Sequence, residues 1–131
     1  MNTHSRGFTV IELIVIIALI GAASILFFVQ KNNVEVAARD DTRKTAINAM
    51  YYSLEEVFFK ANGFYPQTIS ETNLTSVEPS LFADPDKMKI GTADSDYRYE
   101  SINCVDAKCT SYTLRTSMQN EAEYVKDSKN K

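Results

Sequence analysis

The chain has 131 residues, the size of one small domain, and carries 14 Lys and Arg against 17 Asp and Glu, a formal net charge of −3. This slightly acidic balance does not favour a direct nucleic-acid partner. Its only histidine is His4, so the sequence supplies neither a catalytic triad nor an imidazole-based metal site. With no phosphate-binding loop and no cluster of metal ligands, the composition argues against an enzyme, and we predict no cofactor and no metal site.

The apolar residues are concentrated near the N-terminus. From Phe8 to Val29 there are 22 consecutive residues whose only polar side chains are Thr9, Glu12 and Ser24. A helix of this length rises about 33 Å, enough to cross the roughly 30 Å hydrocarbon core of a bilayer. The apolar part of a signal peptide is shorter, roughly 7–15 residues. The sequence therefore predicts a helix over residues 8–30 that spans a membrane or is buried in an equivalent surrounding.

The charges on either side of this segment predict its orientation. Residues 1–7 contain Arg6 and the amino terminus, and no base follows before Lys31. By the positive-inside rule, Met1 is expected in the cytoplasm and the C-terminal part of the chain outside.

The helix is expected to continue beyond the apolar segment. No Pro or Gly interrupts the chain from Gln30 to Asn62, and Asn62-Gly63 followed by Pro66 is a typical helix stop. Apolar residues recur at spacings of three and four, which predicts an amphipathic helix over residues 31–62 with one face covered. That face comprises Ile47, Met50, Tyr51, Leu54, Val57, Phe58 and Ala61.

Two further groups on this helix have ordinary structural interpretations. The mixed-charge stretch from Arg39 to Lys44 predicts a solvated helix face with local ion pairs. The aromatic side chains lie at helical spacing and are expected to be core and subunit contacts rather than a binding site. They are Tyr51, Tyr52, Phe58 and Phe59.

Beyond the helix, residues 63–95 contain Pro, Gly and many small polar residues and predict an irregular loop. Strand-like segments at 96–102 and 110–119 predict an antiparallel hairpin, whose connection contains Cys104 and Cys109. Outside the cytoplasm a disulfide is favoured over two reduced thiols. The charged tail, residues 120–131, is expected to fray or lie on the surface. Asn73-Leu74-Thr75 fits a glycosylation acceptor, a motif that often arises by chance.

Together these features predict an α+β fold in which one long N-terminal helix packs against a small antiparallel β-hairpin or β-meander headpiece. The hairpin's apolar side is expected to cover the helix face that begins at Ile47. The predicted organisation is a leader over 1–7, a membrane or filament-core helix over 8–30, an amphipathic helix over 31–62, a loop over 63–95, a disulfide-tied hairpin over 96–119 and a tail over 120–131.

The start of the chain resembles the class III signal of type IV prepilins and type II secretion pseudopilins. The likeness rests on a short leader ending in Gly7, the aromatic Phe8, Glu12 at the fifth position of the product and the unbroken apolar run that contains Gly21. The turn Asn62-Gly63-Phe64-Tyr65-Pro66 is also similar to one common in that superfamily. The likeness is strong over the first half of the chain and covers the β part only in layout.

The resemblance implies processing and assembly. A prepilin peptidase would cut between Gly7 and Phe8 and methylate the new amine of Phe8. A carboxylate within an apolar helix costs about 2.5–3.5 kcal/mol at mid-membrane and less near the end. In the family picture Glu12 pairs with the amine of Phe8 on an adjacent subunit; the alternative is that Glu12 stays solvated near the cytoplasmic interface. Gly21 is expected to allow close helix packing.

Two departures from the family pattern affect these expectations. Val29 stands where many relatives have a proline, which puts a melted helix segment in doubt. Major pseudopilins often bind Ca²⁺ near the end of the β region, but the carboxylates of Asp84, Asp86, Asp94 and Asp96 have no ordered ligand spacing here and match turn chemistry.

The predicted function is therefore that of a structural subunit in a type IV pilus-like filament, stored in the cell membrane and extracellular after assembly. The implied partners are copies of the same chain, the prepilin peptidase, an assembly ATPase and a platform membrane protein. One alternative is a minor pilin or pseudopilin of a type II secretion or DNA-uptake system. Another is a single-span membrane protein with a small extracytoplasmic binding domain.

Overall fold

The computed structural model describes residues 7–130. It forms two compact units: one ends at Glu35, and the other, which we call the headpiece, begins at Val36. The helical run is α1 (Val10–Tyr52), a π-helical segment (Ser53–Phe58) and α2 (Phe59–Asn62). In the headpiece, the second part of this run packs against a small antiparallel sheet, so the predicted α+β fold is confirmed.

The end of the helix is where the sequence predicts it. Gly63 follows Asn62 with φ of 75°, in the left-handed region, and its amide donates to the carbonyl of Phe59 at 2.7 Å. This is the bond that a glycine stop makes, because glycine adopts positive φ without a side-chain clash.

The predicted apolar face is correct up to Leu54, and beyond it only Phe58 packs against the core. Ile47, Met50 and Leu54 are fully buried, whereas Val57 is 43% exposed and Ala61 is also exposed. The π-helical segment explains the change, because its wider turn places an additional residue in one turn and rotates the following side chains. As a result the buried face of the π-helical segment includes the carboxylate of Glu55.

The sheet has β3 at its centre. Its antiparallel neighbours are β2 along one edge and, along the other edge, β1 near the start of β3 and β4 near its end. Tyr112 and Leu114 of β3 and Tyr97 of β2 are buried in the core with the helix residues. The strands are β1 (Tyr65–Pro66), β2 (Tyr97–Val105), β3 (Lys108–Thr116) and β4 (Tyr124–Asp127).

The predicted hairpin and disulfide are present, but the strands extend further toward the turn than expected. Only Asp106 and Ala107 separate β2 from β3, and their φ angles of 50° and 63° match a two-residue turn with both residues left-handed. Cys104 and Cys109 lie directly opposite each other in the ladder and form a disulfide. The disulfide therefore joins two strands instead of closing a loop.

Most of the tail lies on the surface, which is one of the two predicted outcomes, but the tail is not frayed. Residues 124–127 form β4, which pairs with β3 from Thr113↔Asp127 to Thr116↔Tyr124. Ser128 is buried and its amide donates to the carbonyl of Tyr112 at 3.0 Å. The unpaired second edge of β3 accepts this segment, which charge composition alone did not indicate.

The segment 63–95 is largely irregular, as predicted, with a 3₁₀ turn at Pro79–Phe82. Asp84 organises its end: one carboxylate oxygen accepts from the amides of Asp86 (3.0 Å) and Met88 (2.9 Å), and the other from the amide of Asp96 (2.9 Å). This is the turn chemistry that the sequence favours. Within residues 7–130, no group of three or more His, Cys, Asp or Glu side chains is arranged to hold a metal ion.

The mixed-charge stretch on the helix is solvated only in part: Asp41 and Thr42 are exposed and a local ion pair is present, as predicted, but that pair is buried, which corrects the sequence interpretation. Asp40 and Arg43 are buried, with 4% and 2% exposure. Arg43 donates to Asp40 at 2.9 Å and to Asp96, at the start of the sheet, at 2.7 Å. Asp40 also accepts the amides of Gln119 and Asn120 at 3.0 Å. This buried network joins the helix to two separate segments of the headpiece.

The network makes the stability of the headpiece pH-dependent. Burial alone raises the pKa of Asp40, but the amides of Gln119 and Asn120 and the guanidinium of Arg43 outweigh it and lower that pKa below its ordinary value of 3.8. The stability gained is present above pH 3.8 and is lost as the pH falls through the lowered pKa. Unfolding of wild type and Asp40→Asn can be followed by circular dichroism at a series of acidic pH values. Below pH 3.8 the free energy of unfolding should depend less steeply on pH in the variant than in wild type. If the free energy of unfolding has the same pH dependence in both proteins, Asp40 is not the source of the acid sensitivity.

A second buried carboxylate, Glu55, lies in the π-helical segment with 5% exposure. It accepts the hydroxyls of Tyr65 at 3.0 Å and Tyr112 at 2.9 Å, and the amide of Lys129 at 3.2 Å. Its negative charge raises the pKa of Tyr112, which burial already raises. Glu55 thus connects the helix, β1, β3 and the C-terminal segment.

Replacing Glu55 by alanine should destabilise the headpiece by about 1–3 kcal/mol for each buried donor left without an acceptor. Glu55→Gln is the matched control, because it retains the oxygen that accepts from Tyr112 and Lys129. Urea unfolding followed by tyrosine fluorescence measures both, since the chain has seven Tyr and no Trp. Equal losses in the two variants would show that the negative charge, not the acceptor geometry, stabilises the fold.

Candidate functional site: the apolar helix and its first turn

The candidate site is the first unit, whose apolar side chains are exposed. Every described residue from Gly7 to Glu35 is exposed to solvent, and the long apolar segment from Phe8 to Val29 is included. Phe8 itself is 75% exposed. The helix near the N-terminus is long and apolar enough to cross a membrane. An apolar surface of this extent requires lipid or protein to cover it.

The bond that the resemblance marks for cleavage is accessible. Gly7 and Phe8 are exposed and precede α1, which begins at Val10 and not at Phe8 as predicted. A peptide bond outside helix and sheet is free to enter a peptidase site in extended form. Residues 1–6 of the predicted leader lie outside the described residues.

Glu12 has a structural role in its own helix. The backbone amide of Thr9 donates to Glu12 Oε2 at 3.2 Å, and the amide of Glu12 donates to Thr9 Oγ1 at 3.3 Å. This is a capping box, in which two amides at the helix start are satisfied reciprocally. Thr9 is not among the residues singled out in the sequence, although Thr-x-x-Glu before an apolar run is the signal of a capping box.

Among residues 7–130, only one carboxylate oxygen of Glu12 accepts hydrogen bonds. Both bonds that Glu12 accepts from Thr9 end on Oε2. In the part of the chain that the structure describes, Oε1 accepts no hydrogen bond. The carboxylate can therefore cap its own helix and at the same time accept a hydrogen bond from another molecule.

The middle of the apolar helix contains the small residues Gly21 and Ser24. A Cβ placed on Gly21 would meet nothing within 4 Å, so within the chain no neighbour requires the glycine. Ser24 donates to the carbonyl of Ile20 at 2.8 Å, which satisfies its hydroxyl inside the helix. The helix is unbroken through Val29. The structure thus has no melted segment at the position where many relatives of the resembled family have a proline.

The remaining sequence candidates have structural roles in the headpiece. Asn73 accepts the amide of Ser70 at 2.8 Å and donates from Nδ2 to the carbonyl of Thr68 at 2.7 Å, so a glycan on Nδ2 would compete with a turn. Of the four helix aromatics, Tyr52 is 63% exposed. The other three pack against the core as predicted; they are Tyr51, Phe58 and Phe59.

Comparison with known proteins adds no relative. No family model, no curated protein and no solved structure matches this chain. The functional assignment therefore rests on the pattern of residues 7–29 and on the geometry of the first helical turn.

Proposed function

We propose that this protein is a structural subunit of a type IV pilus-like filament, stored in the membrane and assembled through its N-terminal helix after cleavage between Gly7 and Phe8. The observation that carries the proposal is the continuous exposure of apolar side chains from Phe8 to Val29, preceded by an accessible Gly7-Phe8 bond. Before assembly the segment is covered by lipid, and in the filament by the same segment of other copies.

Lipid tails are as apolar as leucine, so burial of apolar surface does not by itself drive helices out of a membrane into a filament. The driving interactions are close packing and polar pairing. Gly21 with the following Ala22-Ala23-Ser24 gives a small-residue surface on which another helix can approach closely. The satisfied hydroxyl of Ser24 adds no desolvation cost to this contact.

The polar pairing involves Glu12. Cleavage after Gly7 gives Phe8 a free amine, and the free Oε1 of Glu12 on a neighbouring subunit accepts a hydrogen bond from it. In an apolar surrounding such a charge pair specifies the axial register of adjacent helices, because any other register leaves a buried charge unpaired. The capping box holds the Glu12 carboxylate at the helix start, the end nearest the new amine.

The unprocessed chain and the finished filament have different locations. The unprocessed chain spans the cell membrane with Met1 in the cytoplasm and the disulfide-tied headpiece outside, where an oxidising compartment permits the Cys104–Cys109 bond. A prepilin peptidase, an assembly ATPase and a platform membrane protein act on it, and the finished filament is extracellular.

Immunoelectron microscopy of the host cell tests this function. Gold-labelled antibody against the headpiece should decorate surface filaments along their length, and the filaments should disappear when the chain is deleted and return when it is restored. Label confined to the cell envelope of a filament-bearing cell would contradict a filament subunit. Label at filament ends alone would indicate a minor subunit.

A further inference from the structure

Within residues 7–130, the longest unpaired edge of the headpiece sheet is the outer edge of β2, which has nine residues; β1 and β4 also have an unpaired outer edge but are only two and four residues long. The orientation of the β2 backbone follows from Tyr112, whose carbonyl and amide bond to Ser128 on the side away from β2. Residues opposite each other in an antiparallel pair point their polar groups either toward each other or both away. Ser101 lies opposite Tyr112, so its amide and carbonyl point to the free edge.

The same alternation continues along β2. The polar groups of Tyr97 and Tyr99 also point outward, and the amide of Tyr97 confirms this by bonding to Ser95 Oγ at 3.1 Å. Within residues 7–130, no hydrogen bond reaches the backbone amide or carbonyl of Tyr99 or Ser101 from that side. The edge is thus a template for one more antiparallel strand.

The side chains between these positions carry opposite charges. Arg98 and Glu100 are exposed on the outer face of the sheet, where Arg98 donates to the carbonyl of Ala93 at 2.9 Å and Glu100 pairs with Arg115. A positive and a negative charge two residues apart on one edge are self-complementary when the strand meets a reversed copy of itself.

We propose that two copies of this chain pair through β2, antiparallel, with Tyr99 opposite Tyr99 of the second copy. In this register Arg98 lies opposite Glu100 of the second copy, and Glu100 opposite its Arg98. Shifting the register by two residues in either direction places Arg98 opposite Arg98 or Glu100 opposite Glu100, which is destabilising. The charges therefore select one register, and the pairing extends each four-stranded sheet across a twofold axis.

The twofold symmetry also determines where such a contact can occur. The twofold axis that reverses the direction of β2 also reverses the direction of the helix that packs on the same sheet within the headpiece. Successive subunits of one polar filament are related by a screw rotation and not by a twofold axis, so this contact joins subunits of two neighbouring filaments. This consequence alone rests on the proposed function; the β2 pairing itself does not.

Cysteine cross-linking of the full chain in detergent tests the pairing. Opposite side chains that are not hydrogen-bonded have Cβ atoms about 4.5–5.5 Å apart, close to disulfide reach, while diagonal neighbours are about 7–8 Å apart. An equimolar mixture of Arg98→Cys and Glu100→Cys should form a disulfide-linked dimer under mild oxidation, whereas either variant alone should not. Peptide mapping of the Cys104–Cys109 disulfide verifies that each variant has folded.

A mixture that cross-links no faster than the single variants would overturn the proposal. A charge exchange provides the second measurement: Arg98→Glu should reduce the dimer fraction in sedimentation, and Arg98→Glu combined with Glu100→Arg should restore it. Failure of restoration would also overturn the proposal. Both measurements use detergent-solubilised protein, so the absence of filaments would sink the proposed function without affecting either result.

Discussion

Replacing Arg43 by alanine should lower the free energy of unfolding of the headpiece by about 3–5 kcal/mol, the cost of removing one partner from a buried ion pair. Arg43 is 2% exposed and bonds to Asp40 and Asp96. Without its guanidinium, the carboxylates of Asp40 and Asp96 both lose their positively charged partner, and that of Asp40 remains buried. The loss should be the largest of any single charged residue in the headpiece.

Arg39→Ala is the matched control for this prediction. Arg39 lies one turn earlier on the same helix, and its ion pair with Asp86 is exposed on both sides, with side-chain exposures of 39% and 56%. Such pairs contribute about 0–1 kcal/mol. Urea unfolding monitored by tyrosine fluorescence should separate the two variants clearly. If Arg43→Ala costs no more than Arg39→Ala, the network does not hold the headpiece together.

Removing the charge of Glu12 should abolish filament assembly and leave membrane insertion intact. Insertion should not suffer, because a carboxylate within an apolar helix disfavours it. Glu12→Ala removes both the charge and the capping box, whereas Glu12→Gln removes the charge alone, since glutamine also serves at this capping position. Filament yield, measured after shearing from cells, should fall to the background level in both variants.

Thr9→Val completes the comparison. It removes the hydroxyl that caps the helix and keeps the Glu12 carboxylate, at a cost of about 0.5–2 kcal/mol in helix stability. Its filaments should persist. If Glu12→Gln assembles normally while Glu12→Ala and Thr9→Val both fail, capping of the subunit's own helix is the role of Glu12, and pairing with a neighbouring amine is not required.

The long helix and the hairpin could be predicted from sequence because each depends on local signals. The apolar run from Phe8 to Val29, the break at Asn62-Gly63 and the alternating strand segments all act through neighbours along the chain. The helix stop is confirmed by the positive φ of Gly63. The alternating segments also predicted the antiparallel pairing of β2 with β3.

The features that sequence reasoning missed depend on distant partners. Arg43 is buried against Asp96, and Asp40 against the amides of Gln119 and Asn120, all far along the chain. The π-helical segment shifted the buried face so that Glu55 replaced Val57, a change that a regular 3.6-residue period cannot show. Strand β4 is too short and too charged to be recognised before the free edge of β3 is known.

The candidate site divides in the same way. The residue pattern predicted the long apolar helix near the N-terminus, while the capping role of Thr9 is visible only in the hydrogen bonds. Which molecules cover the helix is a property of the assembly, and no single chain encodes it in its own contacts.

Mass spectrometry of the N-terminal peptide from purified surface filaments tests the proposed cleavage between Gly7 and Phe8 directly. We expect a peptide that begins at Phe8 and carries an added methyl group, because only removal of residues 1–7 would supply the amine that is proposed to pair with Glu12. Assembled filaments whose subunits still begin at Met1 would contradict the proposed cleavage.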